Sequence, residues 1–298
     1  MKSSNLLSTA ILLVGFSSGF GQTEQSKVKR ISIQEIYIQT GLFSERNASG
    51  TLKDFQSLAP QSILLKKDFT GYSSSQGVSL TSNTMFSILV GIKFSDKQKT
   101  TYKANPMVRV GLSYFSGSTL IGSLNKEDRK RYDTLTSAQT GQTIFSDSVS
   151  SKSTGMNYSF EQLRFDGSVI FRTNPEARWS LFTGIGITAG LSINAHTEIY
   201  DSKSDRTETP YSNGNNSFSY NSYGGEWRTE KFRNKNNFGL STYIPMGVDF
   251  RIGKKREFWK RTHLFYELRP GINMTSIPEL RTVANASVQH GLGLKVSW

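Results

Sequence analysis

Cysteine is absent from the 298-residue chain, and only 3 histidines and 7 prolines occur in it. The lack of cysteine excludes disulfide frameworks, thiolate metal sites, cysteine nucleophiles and a lipidated N-terminal cysteine. Three scattered histidines without a carboxylate cluster make a poor metal site, and no cofactor is predicted. Beyond residue 20 there is no run of about 18 apolar residues, so the sequence argues against a helical membrane protein.

The chain does contain many aromatic residues and an excess of positive charge. Its 19 Phe, 12 Tyr and 4 Trp are spread along the sequence, which argues against a disordered chain. The formal net charge is +13. No base-stacking module is present, and a secreted protein rarely meets nucleic acid, so no nucleic-acid partner is predicted.

The N-terminus has the layout of a secretory signal peptide. A lysine and an apolar run over residues 6–14 are followed by small residues before a cleavage point at Gln22. As a membrane anchor this run is too short for the ~30 Å hydrocarbon core, and no stop-transfer flank follows it. We therefore expect residues 1–21 to be removed and residues 22–298 to form a single domain.

Alternation of apolar and polar residues dominates the rest of the chain. Over residues 282–298 the even positions are mostly apolar and the odd ones polar or glycine, far beyond the ~5–6 residues of an ordinary strand. The same pattern recurs at 179–193, 238–253 and 264–274, and in shorter form at 86–94, 108–114 and 163–171. Residues 31–41 alternate more weakly, and a slip near Gln34 and Glu35 predicts a β-bulge.

The two faces of these strands differ in character. The polar face is rich in glycine and carries Lys93, Arg109, Arg164, Asp166, Asp249, Arg251, Glu267, Arg269 and Lys295. Glycine permits close approach of backbones inside a narrow tube, where mixed charges can pair across the lumen. The apolar face fits a lipid-facing band, with an aromatic girdle at Trp179, Phe250, Tyr266 and Trp298. Because lipid offers the backbone no hydrogen bonds, we predict an all-β fold, an eight-stranded antiparallel transmembrane barrel of a Gram-negative outer membrane.

Connection lengths predict the orientation of this barrel. Short connections are expected at 95–104, 173–178 and 253–261, and long ones at 42–83, 118–156 and 199–237. In bacterial barrels long loops lie at the cell surface, which leaves the short turns and both termini in the periplasm. In the first long loop, residues 52–59 precede Pro60 and predict a short surface helix.

Several strand sequences carry a family resemblance. The signal ending Gly-Phe-Gly before Gln22 and the segments 243–250 (YIPMGVDF), 265–271 (FYELRPG) and 294–298 (LKVSW) resemble the PorT-like small outer-membrane β-barrel proteins. This resemblance covers nearly the whole mature chain and implies the barrel fold. It implies a non-enzymatic outer-membrane component, with no defined molecular role. The terminal Trp298 is similar to the signal by which barrel-assembly machinery recognises its substrates during biogenesis.

The three histidines are the side chains best suited to act as a general base. Alternation puts His196 on the lumen side, two residues from Glu198. This pair is consistent with the general base of a lipid hydrolase, or with a hydrogen-bonded lumen residue where the strand meets its loop. No spacing nominates a serine nucleophile among so many serines, so the second interpretation is favoured and no catalytic residue is predicted. His290 is expected to face lipid near the outer interface, and His263 to lie on the rim.

Two sets of residues are candidates for contact with partners. Aromatic anchors for a protein surface are predicted in the third long loop at Phe218, Tyr220, Tyr223 and Trp227, although these residues could instead pack together as a lid over the barrel mouth. A basic periplasmic rim is predicted at Lys254, Lys255, Arg256, Lys260 and Arg261. This rim suits anionic lipid headgroups or an acidic periplasmic partner, or it is a solvated edge that fixes barrel depth.

These observations favour a structural or accessory subunit of the outer membrane. An eight-stranded barrel fills its lumen with side chains, which argues against a solute channel. We expect no enzyme activity and expect the extracellular loops to bind another outer-membrane or surface protein in a complex. The alternatives are an outer-membrane lipid or peptide hydrolase and a stand-alone surface adhesin or receptor.

Overall fold

The computed structural model describes residues 31–74, 80–94, 106–136, 141, 143–173, 177–210, 218–253 and 255–297. The predicted signal peptide, Lys254 of the predicted basic rim and the predicted assembly signal Trp298 lie outside the described residues. The described residues are nearly all in β-strands. None of the helices among them is both long and apolar enough to span a membrane.

Twelve strands and three short helical segments are described. The strands are β1 (Ile31–Arg46), β2 (Ala48–Ser49), β3 (Ser73–Ser74), β4 (Leu80–Phe94), β5 (Met107–Thr136), β6 (Thr143–Arg172), β7 (Trp179–Pro210), β8 (Phe218–Arg233), β9 (Phe238–Tyr243), β10 (Met246–Arg251), β11 (Thr262–Ser276) and β12 (Thr282–Ser297). The helices are α1 (Leu52–Leu58) and α2 (Glu257–Arg261), and a 3₁₀ helix covers Leu64–Lys66.

The strands form one antiparallel sheet, apart from a short parallel pairing of β2 with β5. Strand β1 pairs with β12 and β4, and β4, β5, β6 and β7 follow one another. The first part of β7 pairs with β9 and β10, and its last part pairs with β8. Strands β9 and β10 also pair with β11, which pairs with β12. Between β9 and β10 the ladder is interrupted at Pro245, which has no N–H to donate.

The predicted alternation is confirmed in these strands. In β12, Leu292 and Leu294 are exposed while Gln289 and Lys295 are buried, and β11, β9 and the first part of β7 alternate in the same way. The exposed apolar side chains form a continuous outer face, which we call the apolar band. The predicted irregularity in β1 is also confirmed, because the register against β4 shifts between Ile33 and Glu35.

Ion pairs cross the buried face between strands that are not neighbours. The guanidinium of Arg109 on β5 donates two hydrogen bonds to Glu267 on β11, at 2.7 and 2.9 Å. Arg269, also on β11, reaches Asp166 on β6 at 2.9 Å and Glu267 at 2.6 Å. These side chains are 0% exposed, so the predicted pairing of mixed charges is confirmed. His263 was expected on the rim, but it is buried and lies 2.7 Å from a carboxylate oxygen of Asp249.

The second and third long connections are not loops. Strands β5 and β6 have 30 residues each and β7 has 32, so residues 118–136, 143–161, 194–210 and 218–233 form an extended wall of four strands. The prediction of long loops there was wrong because the apolar outer face ends near residue 193, whereas the backbone ladder continues. Beyond residue 193, polar side chains paired across neighbouring strands stabilise the sheet.

The first long connection folds back onto the inner side of this wall. The predicted helix at 52–59 is confirmed as α1, and Thr51 and Asp54 form a reciprocal capping box at its start. The helix is not a solvated surface element, because Phe55 and Leu58 are buried. We call residues 50–72 the cap. Its apolar residues pack in one cluster with Leu120, Met156, Tyr158, Ala195, Ile199, Ile277 and Val283.

Candidate interaction surface

A β-bulge in β7 separates the apolar band from the extended wall. In the ladder with β6, Glu161 pairs with Asn194 and Gln162 pairs with Ser192, so Ile193 is an extra residue. One extra residue in a strand reverses which side chains face inward. Below the bulge most even positions of β7 are buried, and directly above it, at 195–199, the odd positions are buried.

The bulge corrects the predicted orientation of His196. Simple alternation put this residue on the lumen side, but it lies on the outer side of the wall, directly across from Ser159 on β6. The sequence does not predict the bulge, because Ile193 and Asn194 are compatible with either side of the sheet. The predicted outward orientation of His290 is confirmed, since its ladder partners are Leu42 and Leu268 of the apolar band.

The cap is fixed to the inner side of the wall by polar contacts. The Glu230 carboxylate on β8 accepts hydrogen bonds from the Ser62 hydroxyl at 2.5 Å and from the Ile63 backbone N–H at 3.2 Å. The Asn234 side-chain amide donates to the Leu58 carbonyl at 2.8 Å. The cap, which belongs to the first long connection, therefore covers the inner side of the wall, and Phe232 of the third connection packs against the same apolar cluster.

Several large aromatic side chains are exposed on the wall above the bulge, among them Tyr132, Phe145, Tyr200 and Trp227. Trp227 on β8 is 71% exposed, and its ring stacks on that of Tyr200 with centroids 6.3 Å apart and an interplanar angle of 15°. The Tyr200 ring in turn lies over Gly155, where an added Cβ would come within 2.0 Å of the ring. The tryptophan is thus held on a platform of two strands.

The other predicted anchors lie in the same strand. The backbone of β8 pairs Phe218 with Pro210, Tyr220 with Glu208 and Tyr223 with Asp205. The side chains of these aromatic residues lie outside the described residues. All four predicted anchors therefore lie on β8, and Trp227 is the one whose side chain is described.

Below Trp227 the outer side carries a small polar cluster. Glu198 lies 2.6 Å from the Lys231 ammonium and 3.5 Å from His196 Nε2. The hydrogen bond from Lys231 holds the pKa of Glu198 below its usual range. Burial lowers the pKa of His196, and the Lys231 charge acts in the same direction, which favours the neutral imidazole.

This cluster lacks the contact that a serine hydrolase requires. The hydroxyl of Ser159 contacts Ser118 at 3.1 Å and Asn157 at 3.0 Å, and no described hydrogen bond joins it to His196. Nucleophile and base normally lie within hydrogen-bond reach of each other. Within the part of the chain that the structure describes, no group of three His, Cys, Asp or Glu residues could hold a metal ion.

The far end of the wall is held by a network of charges. Arg129 on β5 reaches Glu208 at 2.7 Å, and Arg206 on β7 lies between Glu208 at 2.7 Å and Glu127 at 2.9 Å. The hydrogen bond from Arg206 lowers the pKa of Glu127, and hydrogen bonds to Asp147 and Glu208 raise that of Arg129. Such cross-strand pairs connect the β5–β6 hairpin to the β7–β8 hairpin.

The predicted basic rim is an exposed turn around α2. Lys255, Arg256 and Arg261 are exposed, and Lys260 pairs with Glu257 at 2.7 Å. These residues are on the opposite side of the apolar band from the extended wall, since they follow β10 and precede β11. The exposure of this turn is consistent with the sequence, whereas no motif in the sequence indicates the roles of Glu230 and Asn234.

Comparisons with known proteins assign neither a family nor a function to this chain. No family model matches it, and no curated protein matches it. Among solved structures, Neisserial surface protein A aligns at 11% identity over 88% of this chain and 97% of its own, with a TM-score of 0.26. Ail, the attachment invasion locus protein of Yersinia pestis, aligns at 9% identity over 89% and 99%, with a TM-score of 0.25. Likeness at these TM-scores is too slight to carry an argument about fold or function.

Proposed function

We propose that residues 22–298 form an eight-stranded barrel in the outer membrane after removal of residues 1–21. The support is the pairing of β7 with β9 and β10, which completes a circuit through β11, β12, β1, β4, β5 and β6. In this circuit β9 and β10 count as one barrel strand. Its outer face is the apolar band, which suits lipid, and its interior is filled by side chains such as Arg109 and Glu267.

The extended wall then stands at the cell surface, with both termini in the periplasm. Strands in such barrels rise about 2.5 Å per residue along the membrane normal, so the wall reaches roughly 40 Å beyond the last lipid-facing residue of β7. Residues 253–261 form the opposite, periplasmic end.

We infer that this wall is a docking surface for another outer-membrane or surface protein, and that the chain has no enzyme activity of its own. The observation that carries this inference is Trp227, 71% exposed on a platform fixed by the ladder, the cap and Tyr200. A large aromatic side chain on a rigid support supplies contact area at little cost in conformational entropy, which is characteristic of binding hot spots.

A photo-crosslinking amino acid at position 227 in living cells tests this function. We expect one discrete adduct with another membrane or surface protein, and loss of the same complex in the Trp227→Ala variant. The matched control carries the probe at Phe165, an equally exposed residue of the apolar band, where only lipid should be labelled. If both positions gave adducts to lipid alone, the docking function would be contradicted, and a stand-alone surface receptor would be favoured instead.

A lipid hydrolase remains the second candidate, because Ser159, His196 and Glu198 share the outer side of the wall just above the apolar band. Since the hydrogen bonds described for Ser159 go to Ser118 and Asn157 and none of them reaches His196, we expect His196→Ala to leave the outer-membrane lipid profile unchanged. Mass spectrometry of extracted lipids checks this. A gain or loss of one acyl chain in the variant would favour the hydrolase.

A further inference from the structure

The apolar band ends, on the side away from the wall, in a group of aromatic and cationic side chains. The rings of Trp179 and Phe250 lie with centroids 4.4 Å apart, and the Arg178 guanidinium stands 4.9 Å from the Phe250 ring centre. Trp179 is on the exposed outer face. Aromatic rings with cations beside them are typical of the boundary between hydrocarbon and headgroups.

The turn around α2 continues this group beyond the strand ends. Phe258 and Trp259 are 62% and 42% exposed, and their rings meet edge to face at 5.0 Å. The backbone of Trp259 packs directly on Gly253, whose N–H donates to the Trp259 carbonyl at 3.0 Å. A Cβ on Gly253 would lie 2.4 Å from the Trp259 Cβ, so glycine is required for this close approach. The two exposed rings are therefore held next to the end of β10.

Unpaired cations surround these two rings. Lys255 and Arg256 line a shallow cavity together with Trp259 and the exposed Ile252. Neither these two residues nor Arg261 makes a salt bridge with any carboxylate that the structure describes, whereas Lys260 is paired with Glu257. Two large exposed aromatic side chains beside three unpaired charges are unusual for a surface in contact with water alone.

We propose that this turn, residues 252–261, binds the phosphates of anionic phospholipids in the periplasmic leaflet. Phe258 and Trp259 lie in the headgroup boundary, and Lys255, Arg256 and Arg261 contact the phosphodiesters. The proposal rests on the proposed outer-membrane barrel. A lipid ligand is favoured over an acidic periplasmic protein because Trp259 and Ile252 share one cavity at the edge of the apolar band, which is continuous with lipid.

The first test counts the lipids retained by the mature protein. The protein is inserted into vesicles of equal parts phosphatidylglycerol and phosphatidylcholine, extracted in mild detergent and analysed by native mass spectrometry. We expect enrichment of phosphatidylglycerol in the parent protein. Three substitutions in the turn, Lys255→Gln, Arg256→Gln and Arg261→Gln, should together lower this enrichment on the order of 100-fold, given the usual attraction of each cation to an anionic surface.

The matched control removes three exposed cations at the other end of the molecule, with Lys130→Gln, Arg131→Gln and Arg228→Gln, and should keep the parent enrichment. The second test uses lipids brominated near the headgroup. These lipids should quench a smaller share of the tryptophan fluorescence in Trp259→Phe than in the parent protein, since Trp179 remains at the same boundary in both.

The possible outcomes distinguish a failure of the lipid assignment from a failure of the barrel proposal. If the protein inserts but the turn variant keeps its phosphatidylglycerol, or Trp259 is not quenched, the lipid assignment is wrong and an acidic periplasmic protein becomes the ligand of the cations. In that case the barrel is unaffected. If the mature protein gives no heat-modifiable folded form in any vesicle, the barrel and the lipid assignment are both overturned.

Discussion

The lower and upper parts of β6 and β7 are made of the same kind of strand but are stabilised in different ways. Below Ile193 the outer face is apolar and the inner face holds buried ion pairs such as Arg269 with Asp166. Above it the outer side is mostly polar apart from the stacked rings of Trp227 and Tyr200, and an apolar cluster lies on the inner side under the cap. The outer face therefore changes from apolar to mostly polar at the bulge, whereas the β6–β7 hydrogen-bonded ladder continues beyond it.

The largest expected effect is on the buried ion pairs of the lower part. Arg109→Met leaves the Glu267 carboxylate with one fewer guanidinium in a fully buried site, and breaking such a pair costs about 3–5 kcal/mol. Urea unfolding in vesicles, followed by heat-modifiable mobility, checks this. The matched control is Arg228→Met on the wall, 71% exposed, which should cost little. Equal losses in the two variants would contradict the difference between the two parts.

A somewhat smaller effect is expected on the apolar band, which we propose faces lipid. Ile187 is an exposed residue of the apolar band, and an arginine there should cost about 2–4 kcal/mol near the bilayer midplane. Thr229 is exposed on the wall, so Thr229→Arg should insert normally. The fraction of folded protein in the outer membrane measures both. Normal insertion of Ile187→Arg would argue that the apolar band does not face lipid.

The smallest expected effect is local to the cap. Glu230→Gln weakens the charge-assisted hydrogen bonds to Ser62 and Ile63, which should loosen the cap by about 1–2 kcal/mol without unfolding the sheet. Faster hydrogen exchange in residues 52–66 is the expected signal. Glu226→Gln on the same strand, where the carboxylate is 72% exposed, should leave this exchange unchanged. If both variants behave alike, Glu230 does not fix the cap.

The sequence predicted the lower part of the fold better than the upper part. Burial of one face imposes a period of two on these strands, which is why the alternation around Leu292 and Lys295 and the bulge near Gln34 could be predicted. The helix over residues 52–59, in the cap, was predictable for a different reason, because Pro60 follows it. The wall has no such constraint on its outer side. Serine, asparagine and charged residues there satisfy a strand as well as a loop, so 118–156 and 199–237 were assigned as connections.

The candidate site was predictable only in part, for the same reason. Exposed aromatic residues are visible in a polar sequence, and so Trp227 was found. The orientation of His196 depends on one extra residue in a strand, and Glu230 acts through backbone N–H groups 167 residues away in sequence, which no local pattern reveals.

The absence of cysteine allows the most direct test of the central claim, that the bulge in β7 marks the boundary between lipid and the cell surface. Single cysteines are introduced as Thr229→Cys on the wall, Leu191→Cys on the apolar band and Arg256→Cys on the α2 turn, and cells are treated with a maleimide that does not cross membranes. The account predicts labelling of Thr229→Cys in intact cells, of Arg256→Cys only after the outer membrane is permeabilised, and of Leu191→Cys in neither case. Labelling of Arg256→Cys but not Thr229→Cys in intact cells would contradict the orientation, and labelling of Leu191→Cys would contradict the barrel in lipid.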